Sequence, residues 1–196
     1  MRIFVALDIP DNVRERIAAF VEDVRGLAQN VRWVRPESLH VTLNFIGEKP
    51  PLEVEKIKQM LAGISGQQCF EAAFRGYGFF PSTNSARVFW IGIEENSRLR
   101  TLSKTVDQTL SRAGISREDR DFNPHLTLAR AGSGSPHRLR SDRGNRVFEK
   151  LQERLATLKD LEFGRMTASE FILFQSKLST SGAHYGAIAR FPLAQS

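Results

Sequence analysis

The sequence predicts an α+β protein of two pseudo-twofold-related lobes, each a largely antiparallel sheet with helices outside. Three observations carry that expectation. The segments RIFVALDIP from Arg2 and RVFWIGIEE from Arg87 read as similar strands, each running into an acidic turn. LHVTLNF, Leu39 to Phe45, and PHLTLAR, Pro124 to Arg130, each set a histidine and a threonine two apart among apolar residues. Phe4 to Phe89 and His40 to His125 are both steps of 85 residues, which aligns the two halves without a gap. Residues 1–196 are therefore expected to form a single bilobal domain built from an internal duplication.

The elements follow in chain order. After the Arg2 strand, Asp11 suits a helix N-cap, and Val13, Ile17, Phe20, Val21, Val24 and Leu27 recur at helical spacing. The His40 strand comes next, then a helix carrying Val54, Ile57, Met60, Leu61 and Ile64. FEAAFRGYGFF passes through PSTNSA into RVFWIGI, an antiparallel hairpin with Gly/Ser/Pro turn chemistry. Ser97 can cap the following helix, whose stripe is Leu99, Leu102, Val106 and Leu110. The His125 strand is followed by a helix with Val147, Leu151, Leu155 and Leu158, and SEFILFQSKL turns through STSGAH into YGAIARFPL. Short hairpins mixed with helices point to α+β. Neither a Gly-rich dinucleotide fingerprint nor a P-loop is present.

Composition narrows the function. A chain of 196 residues is ample for a hydrophobic core. Twenty-eight Lys and Arg against 22 Asp and Glu give a net charge of +6, which suits a phosphate-bearing partner. Arg130, Arg138, Arg140, Arg143 and Arg146 fall in RAGSGSPHRLRSDRGNR, which reads as a flexible basic loop that either meets a phosphate-bearing partner or is simply solvated. The single cysteine, Cys69, reads as a small core residue and excludes an internal disulfide, in keeping with a reducing, cytoplasmic setting. MRIFVALDIP is too short for a signal peptide, and no run approaches a membrane span.

In a strand, residues two apart share a face, so His40 and Thr42 point one way while Leu39, Val41 and Leu43 point the other. His125 and Thr127 obey the same rule against Leu126 and Leu128. Across a pseudo-twofold axis the two polar faces would line a shared central cleft. One imidazole can then take a proton from an attacking group while the other gives one to a leaving oxygen, because the histidine pKa of about 6.5 allows both states near neutrality. Threonine hydroxyls can donate to the non-bridging phosphate oxygens. No third His, Cys or paired carboxylate accompanies the two histidines, so neither a metal nor a cofactor is expected. Arg130 either binds phosphate or makes a surface ion pair. Phe45 either stacks on a base or packs in the core, Tyr185 either borders the cleft or sits on an edge strand, and Trp33 and Trp90 read as core or rim aromatics. His137, in the basic loop, and His184, in a turn, receive no catalytic role.

The pair HVTL and HLTLAR, with the RIFVALDIP start, resembles the 2H phosphoesterases, and among them the RNA 2',3'-cyclic phosphodiesterases, also called 2'-5' RNA ligases. The resemblance spans nearly the whole chain. It implies metal-independent hydrolysis of a 2',3'-cyclic phosphate at an RNA end to a 2'-phosphate, with reversible 2'-5' ligation in some members. It further implies His40 as proton donor, His125 as proton acceptor, and Thr42 and Thr127 as substrate-binding residues. The expected partner is RNA with a cyclic phosphate end, tRNA fragments included, and the protein is expected to act as a monomer. The alternative is a non-catalytic module that holds a nucleotide or RNA end in the same cleft. If the basic loop holds RNA backbone, neutralising Arg138, Arg140 and Arg143 should weaken binding of longer RNA and flatten its salt dependence, leaving a cyclic mononucleotide unaffected. Titrations at several salt concentrations measure this.

Overall fold

The computed structural model describes residues 1–115, 121–132, 146–179 and 182–195. His137, Arg138, Arg140 and Arg143 lie outside the described residues. The elements run β1 (Arg2–Asp8), α1 (Asp11–Val24), β2 (Val31–Trp33), β3 (His40–Glu48), α2 (Pro51–Ala62), β4 (Phe70–Phe80) and β5 (Val88–Ile93). They continue with α3 (Ser97–Arg112), β6 (His125–Ala131), α4 (Glu149–Ala156), β7 (Glu162–Ala168), β8 (Glu170–Ser179) and β9 (Gly182–Pro192). Two antiparallel sheets result, ordered β3-β1-β8-β9 and β2-β6-β5-β4-β7. Each sheet belongs to one lobe, and the two His-x-Thr strands face the cleft between them.

The two sheets repeat one pairing scheme. In the first, Asp8, Leu7, Ala6, Val5 and Phe4 lie opposite His40, Val41, Thr42, Asn44 and Phe45. In the second, Gly92, Ile91, Trp90, Phe89 and Val88 lie opposite His125, Leu126, Thr127, Ala129 and Arg130. Each ladder shifts register at the same place, so Leu43 and Leu128 are the extra residues of matched bulges. The motif strands therefore match at a step of 85, whereas their partners match at 84, Phe4 with Val88. The gapless alignment of Phe4 with Phe89 is thus one residue out. The physical reason is the two-residue strand period: a shift of one moves a side chain to the opposite face. Phe4 borders the cleft, while Phe89 is fully buried against Phe20, Phe79 and Phe148.

Helix starts differ from expectation by one residue. The α1 N-cap is Pro10, with extended ψ of 157°, and Asp11 stands inside the first turn, where it pairs with Arg14 at 3.6 Å and complements the helix dipole. The α3 N-cap is Asn96, whose side chain accepts from Leu99 N at 3.0 Å, and Ser97 is the first helical residue. α4 is shorter than its apolar stripe: Leu151 and Leu155 are buried on it, and Val147 and Leu158 flank it. β9 begins at Gly182, paired with Ser179, so the second hairpin is tighter than STSGAH suggests.

The helices tie the lobes together. α1, from the first half, lies against the second sheet, with Phe20 edge-on to Phe163 at 5.1 Å. α3, from the second half, lies against β3, where Ser103 donates to the Leu43 carbonyl and Asn44 donates to Asp107. β2, also from the first half, extends the second sheet beside β6. Cys69 is buried in the common core, as expected.

Phe89 is packed by Phe20 of α1, Phe79 of β4 and Phe148, the residue just before α4. Phe89→Ala should lower the unfolding free energy by about 3–5 kcal/mol, read by urea denaturation. Phe45→Ala, at a side chain 46% exposed, should change it by less than about 1 kcal/mol.

Candidate active site

The bulges decide which side chains reach the cleft. Strict alternation from His40 or His125 would send the residue five positions on to the opposite face. The extra Leu43 and Leu128 reset the pattern, so that β3 places His40, Thr42 and Phe45, and β6 places His125, Thr127 and Arg130, on one side. All six line a single cavity of about 490 Å³, a size suited to a nucleotide-scale ligand. Its other walls include Arg2, Phe4, Ser38, Ser176 and Tyr185. Among the described residues no carboxylate lines it, and Arg2 and Arg130 supply positive charge. The electrostatics favour an anion.

Both imidazoles are held in one way. His40 Nδ1 lies 2.8 Å from the Ser38 carbonyl and His125 Nδ1 lies 2.7 Å from the Asn123 carbonyl. A carbonyl only accepts, so Nδ1 carries hydrogen in each ring and Nε2 is the nitrogen whose protonation can change. Aromatic rings brace the two differently. Phe4 packs against His40 at 4.7 Å, and Tyr185 meets it edge-on at 5.0 Å. Phe80 meets His125 edge-on at 4.9 Å and stacks on Trp90, whose ring lies 6.0 Å from His125. Gly78 makes room for that indole, since a Cβ there would stand 2.2 Å from a Trp90 ring carbon.

Burial against these rings holds the His40 pKa below its ordinary 6.5. The Ser38 carbonyl and the Asp8 carboxylate work in the opposite direction, and the charges of Arg130 and His125 add to the lowering. Arg130 Nη2 donates to Thr127 Oγ1 at 3.5 Å, so the guanidinium and the hydroxyl act as neighbouring donors.

The structure thus brings together His40, His125, Thr42, Thr127 and Arg130, and it puts Phe45 and Tyr185 beside them. Trp33 packs edge-on to Phe89, and Trp90 braces His125. His184 stands outside the cavity, 3.1 Å from Arg35. Arg2, Phe4, Ser38 and Ser176 escape a reading of the two motifs alone. Arg2 and Phe4 had a signal: in β1 they share a face with Ala6, which is paired with Thr42. Arg2 also lies over the Phe45 ring at 5.0 Å, a cation–π contact at the cleft wall. Among the described residues no three His, Cys, Asp or Glu side chains gather as metal ligands.

The family model described as LigT like Phosphoesterase matches residues 7–90 and again residues 91–185. The chain belongs to this family. A LigT-like relative from Methanocaldococcus jannaschii, named RNA 2',3'-cyclic phosphodiesterase, is 34% identical over 96% of this chain and 98% of its own length. One of the same name from Archaeoglobus fulgidus is 33% identical over 94% of this chain and 96% of its own. Among solved structures, a Thermus thermophilus protein matches with a TM-score of 0.73 and 27% identity over 100% of this chain and 99% of that one. E. coli LigT in complex with 3'-AMP matches with a TM-score of 0.77 over 99% of this chain and 98% of that one; at 24% identity it speaks for the LigT-like fold alone. No helix among the described residues is long and apolar enough to cross a membrane.

The lowered pKa of His40 has a consequence for stability. Because the folded protein takes up this proton less readily than the unfolded chain, protonation opposes folding. The cost is absent above 6.5, develops as pH falls through that value and is complete below the lowered folded pKa. Wild type should therefore lose more stability on acidification than His40→Gln, with the difference vanishing at about pH 8. Denaturation midpoints across this range measure it.

Proposed function

We propose that the protein is a phosphodiesterase that opens 2',3'-cyclic phosphate ends of RNA to 2'-phosphate ends. The matched Nδ1–carbonyl bonds carry this reading, because they make Nε2 the nitrogen of each histidine that can exchange a proton, in a cleft where the described residues place no carboxylate. The relatives' names agree with it. A site of two proton-transfer groups, two hydroxyls and two arginines matches in-line displacement at phosphorus.

The cyclic phosphate lies between the sheets. His125 Nε2 takes a proton from water as the water oxygen bonds to phosphorus. The P–O3' bond breaks, and His40 Nε2–H delivers its proton to the departing O3'. Thr42, Thr127 and Arg130 donate to the non-bridging oxygens and offset their charge. The acid, the base and the charge stabilisers are all side chains, so the reaction proceeds without a metal. A 5'-hydroxyl in place of water would join two RNA ends 2'-5' by the same transfers, and the reverse path would cleave them. The phosphate monoanion favours an imidazolium beside it, so substrate counteracts the lowering that burial imposes on His40. Residues 1–196 act as one duplicated bilobal unit; the repeated pairing, the repeated bulge and the double family match support that view.

The test is the rate profile with an oligoribonucleotide ending in a 2',3'-cyclic phosphate. Wild type should follow a bell unaffected by excess chelator, and His40→Ala and His125→Ala should each lower kcat by about 10²- to 10⁴-fold. Residual activity should lack the basic limb in His40→Ala and the acidic limb in His125→Ala. Since kcat/KM reports the unliganded protein, its basic limb should lie at lower pH than that of kcat. A flat profile, or dependence on a divalent ion, would sink the mechanism.

A further inference from the structure

The row of side chains that brings Arg130 into the cleft continues past the cavity. Across the second sheet, Arg32 on β2, Arg130 on β6 and Val88 on β5 are register partners, and partners in an antiparallel ladder share a face. The neighbouring row is Trp33, Ala129 and Phe89. That row faces the core, where Trp33 meets Phe89 edge-on at 6.2 Å. Alternation therefore puts Arg32 on the cleft face, and Val34, two residues on, agrees with this by lining the cavity.

Arg32 is exposed and stands one strand beyond Arg130, outside the cavity's own lining. The Cα atoms of opposed residues lie about 4.5–5.5 Å apart, so the two guanidinium groups rise on equal stems from neighbouring bases. Like charges directly opposite weaken a ladder, whereas an anion within reach of such a pair meets charge-assisted donors from both. Among the described residues no carboxylate pairs with either arginine, and the bond that Arg130 makes is to Thr127. β2 is the outer strand of its sheet, so a chain leaving the cleft over Arg32 crosses no further strand. Arg2, the other arginine of the cleft, belongs to the other sheet and lies over the Phe45 ring.

We infer that Arg32 holds the phosphodiester next to the reacting phosphate, the one on O5' of the terminal nucleotide, and so selects RNA ends over cyclic mononucleotides. This rests on the phosphodiesterase reading given above. A terminal cyclic phosphate is separated from that diester by one ribose, and Arg130 is separated from Arg32 by one strand spacing. Arg130 serves the phosphate that reacts; Arg32 serves one that does not. Because the second phosphate is unchanged as the P–O3' bond breaks, its contact contributes equally to ground and transition states and appears in KM rather than kcat.

The experiment compares two substrates: a nucleoside 2',3'-cyclic phosphate with a free 5'-hydroxyl, and a dinucleotide with the same cyclic end and one internal phosphodiester. Wild type should have the lower KM for the dinucleotide. Arg32→Ala should raise that KM by about 10-fold at unchanged kcat and leave both constants for the mononucleotide in place. The log–log salt slope of dinucleotide kcat/KM should flatten by about 0.7, as expected for one lost phosphate contact on a single strand. Arg32→Lys should keep most of the preference, and Arg32→Gln carries the expectation of Arg32→Ala should the latter fail to fold. Arg16→Ala removes the same charge beside β7, at the opposite edge of that sheet, and should alter neither substrate. An unmoved dinucleotide KM, an equal change for both substrates, or an equal loss in Arg16→Ala overturns the role given to Arg32 and leaves the phosphodiesterase reading intact. Failure of wild type to open either substrate overturns that reading instead.

Discussion

The register shift in each motif strand is the constraint on which the site depends. An antiparallel ladder alternates its faces, and a histidine, a threonine and a residue five beyond the histidine cannot share a face without one extra residue between them. Leu43 and Leu128 are that residue. Both are buried, so each bulge is paid for inside the core rather than at the cleft. Its product is a row of three cleft side chains from each sheet: His40, Thr42 and Phe45 against His125, Thr127 and Arg130. Where the rows differ, at the third position, one offers an aromatic face and the other a cation.

Given that geometry, the electrostatics follow from what the cleft leaves out. Arg2, Arg130 and the imidazoles line it, with no carboxylate among the described residues, so an anionic ligand meets converging donors. The same environment is hostile to an imidazolium when the cleft is empty. Burial, Arg130 and His125 all disfavour charge on His40, and the Ser38 carbonyl and Asp8 oppose them. Protonation of His40 and arrival of a phosphate are thus coupled in sign: each makes the other easier.

Much of this is legible in the chain. The paired His-x-Thr strands, the helices beside them and both hairpins depend on local periodicity, which a sequence displays directly. The bulges do not, because a single inserted residue switches the face of every later side chain in the strand without changing composition. That is why Arg130 is ambiguous from sequence and Phe4 aligns with Phe89. β2 and β7 escape a sequence reading for related reasons. β2 has three residues and gains its place only by pairing with β6 from the other half. β7 is interrupted by Gly164 at φ of 115° and owes its place to pairing with β4. Asp11 and Ser97 are plausible caps by type, but Pro10 and Asn96 already hold the extended backbone that a cap needs.

The two motif strands repeat one pairing scheme, and the packing around their histidines shows where the equivalence ends. Around His40 the second ring is Tyr185, delivered by the C-terminal hairpin; around His125 it is Phe80, one strand away from Trp90. Trp90 lies over Gly78, and a carbonyl blocks any side chain at Gly92, while Phe80 and Trp90 set an aromatic wall beside the second histidine. Beyond the ring of the first lies a second cavity, lined among others by Asp8, Arg14, Glu37 and Arg190. The fold thus holds the proton-transfer atoms alike and varies what stands behind them. Because α1 and α3 each cross to the sheet of the other half, the lobes cannot shift independently without exposing Phe20 or breaking the Ser103 bond to Leu43. The spacing of the two imidazoles is consequently set by packing in the core, away from the cleft that they line.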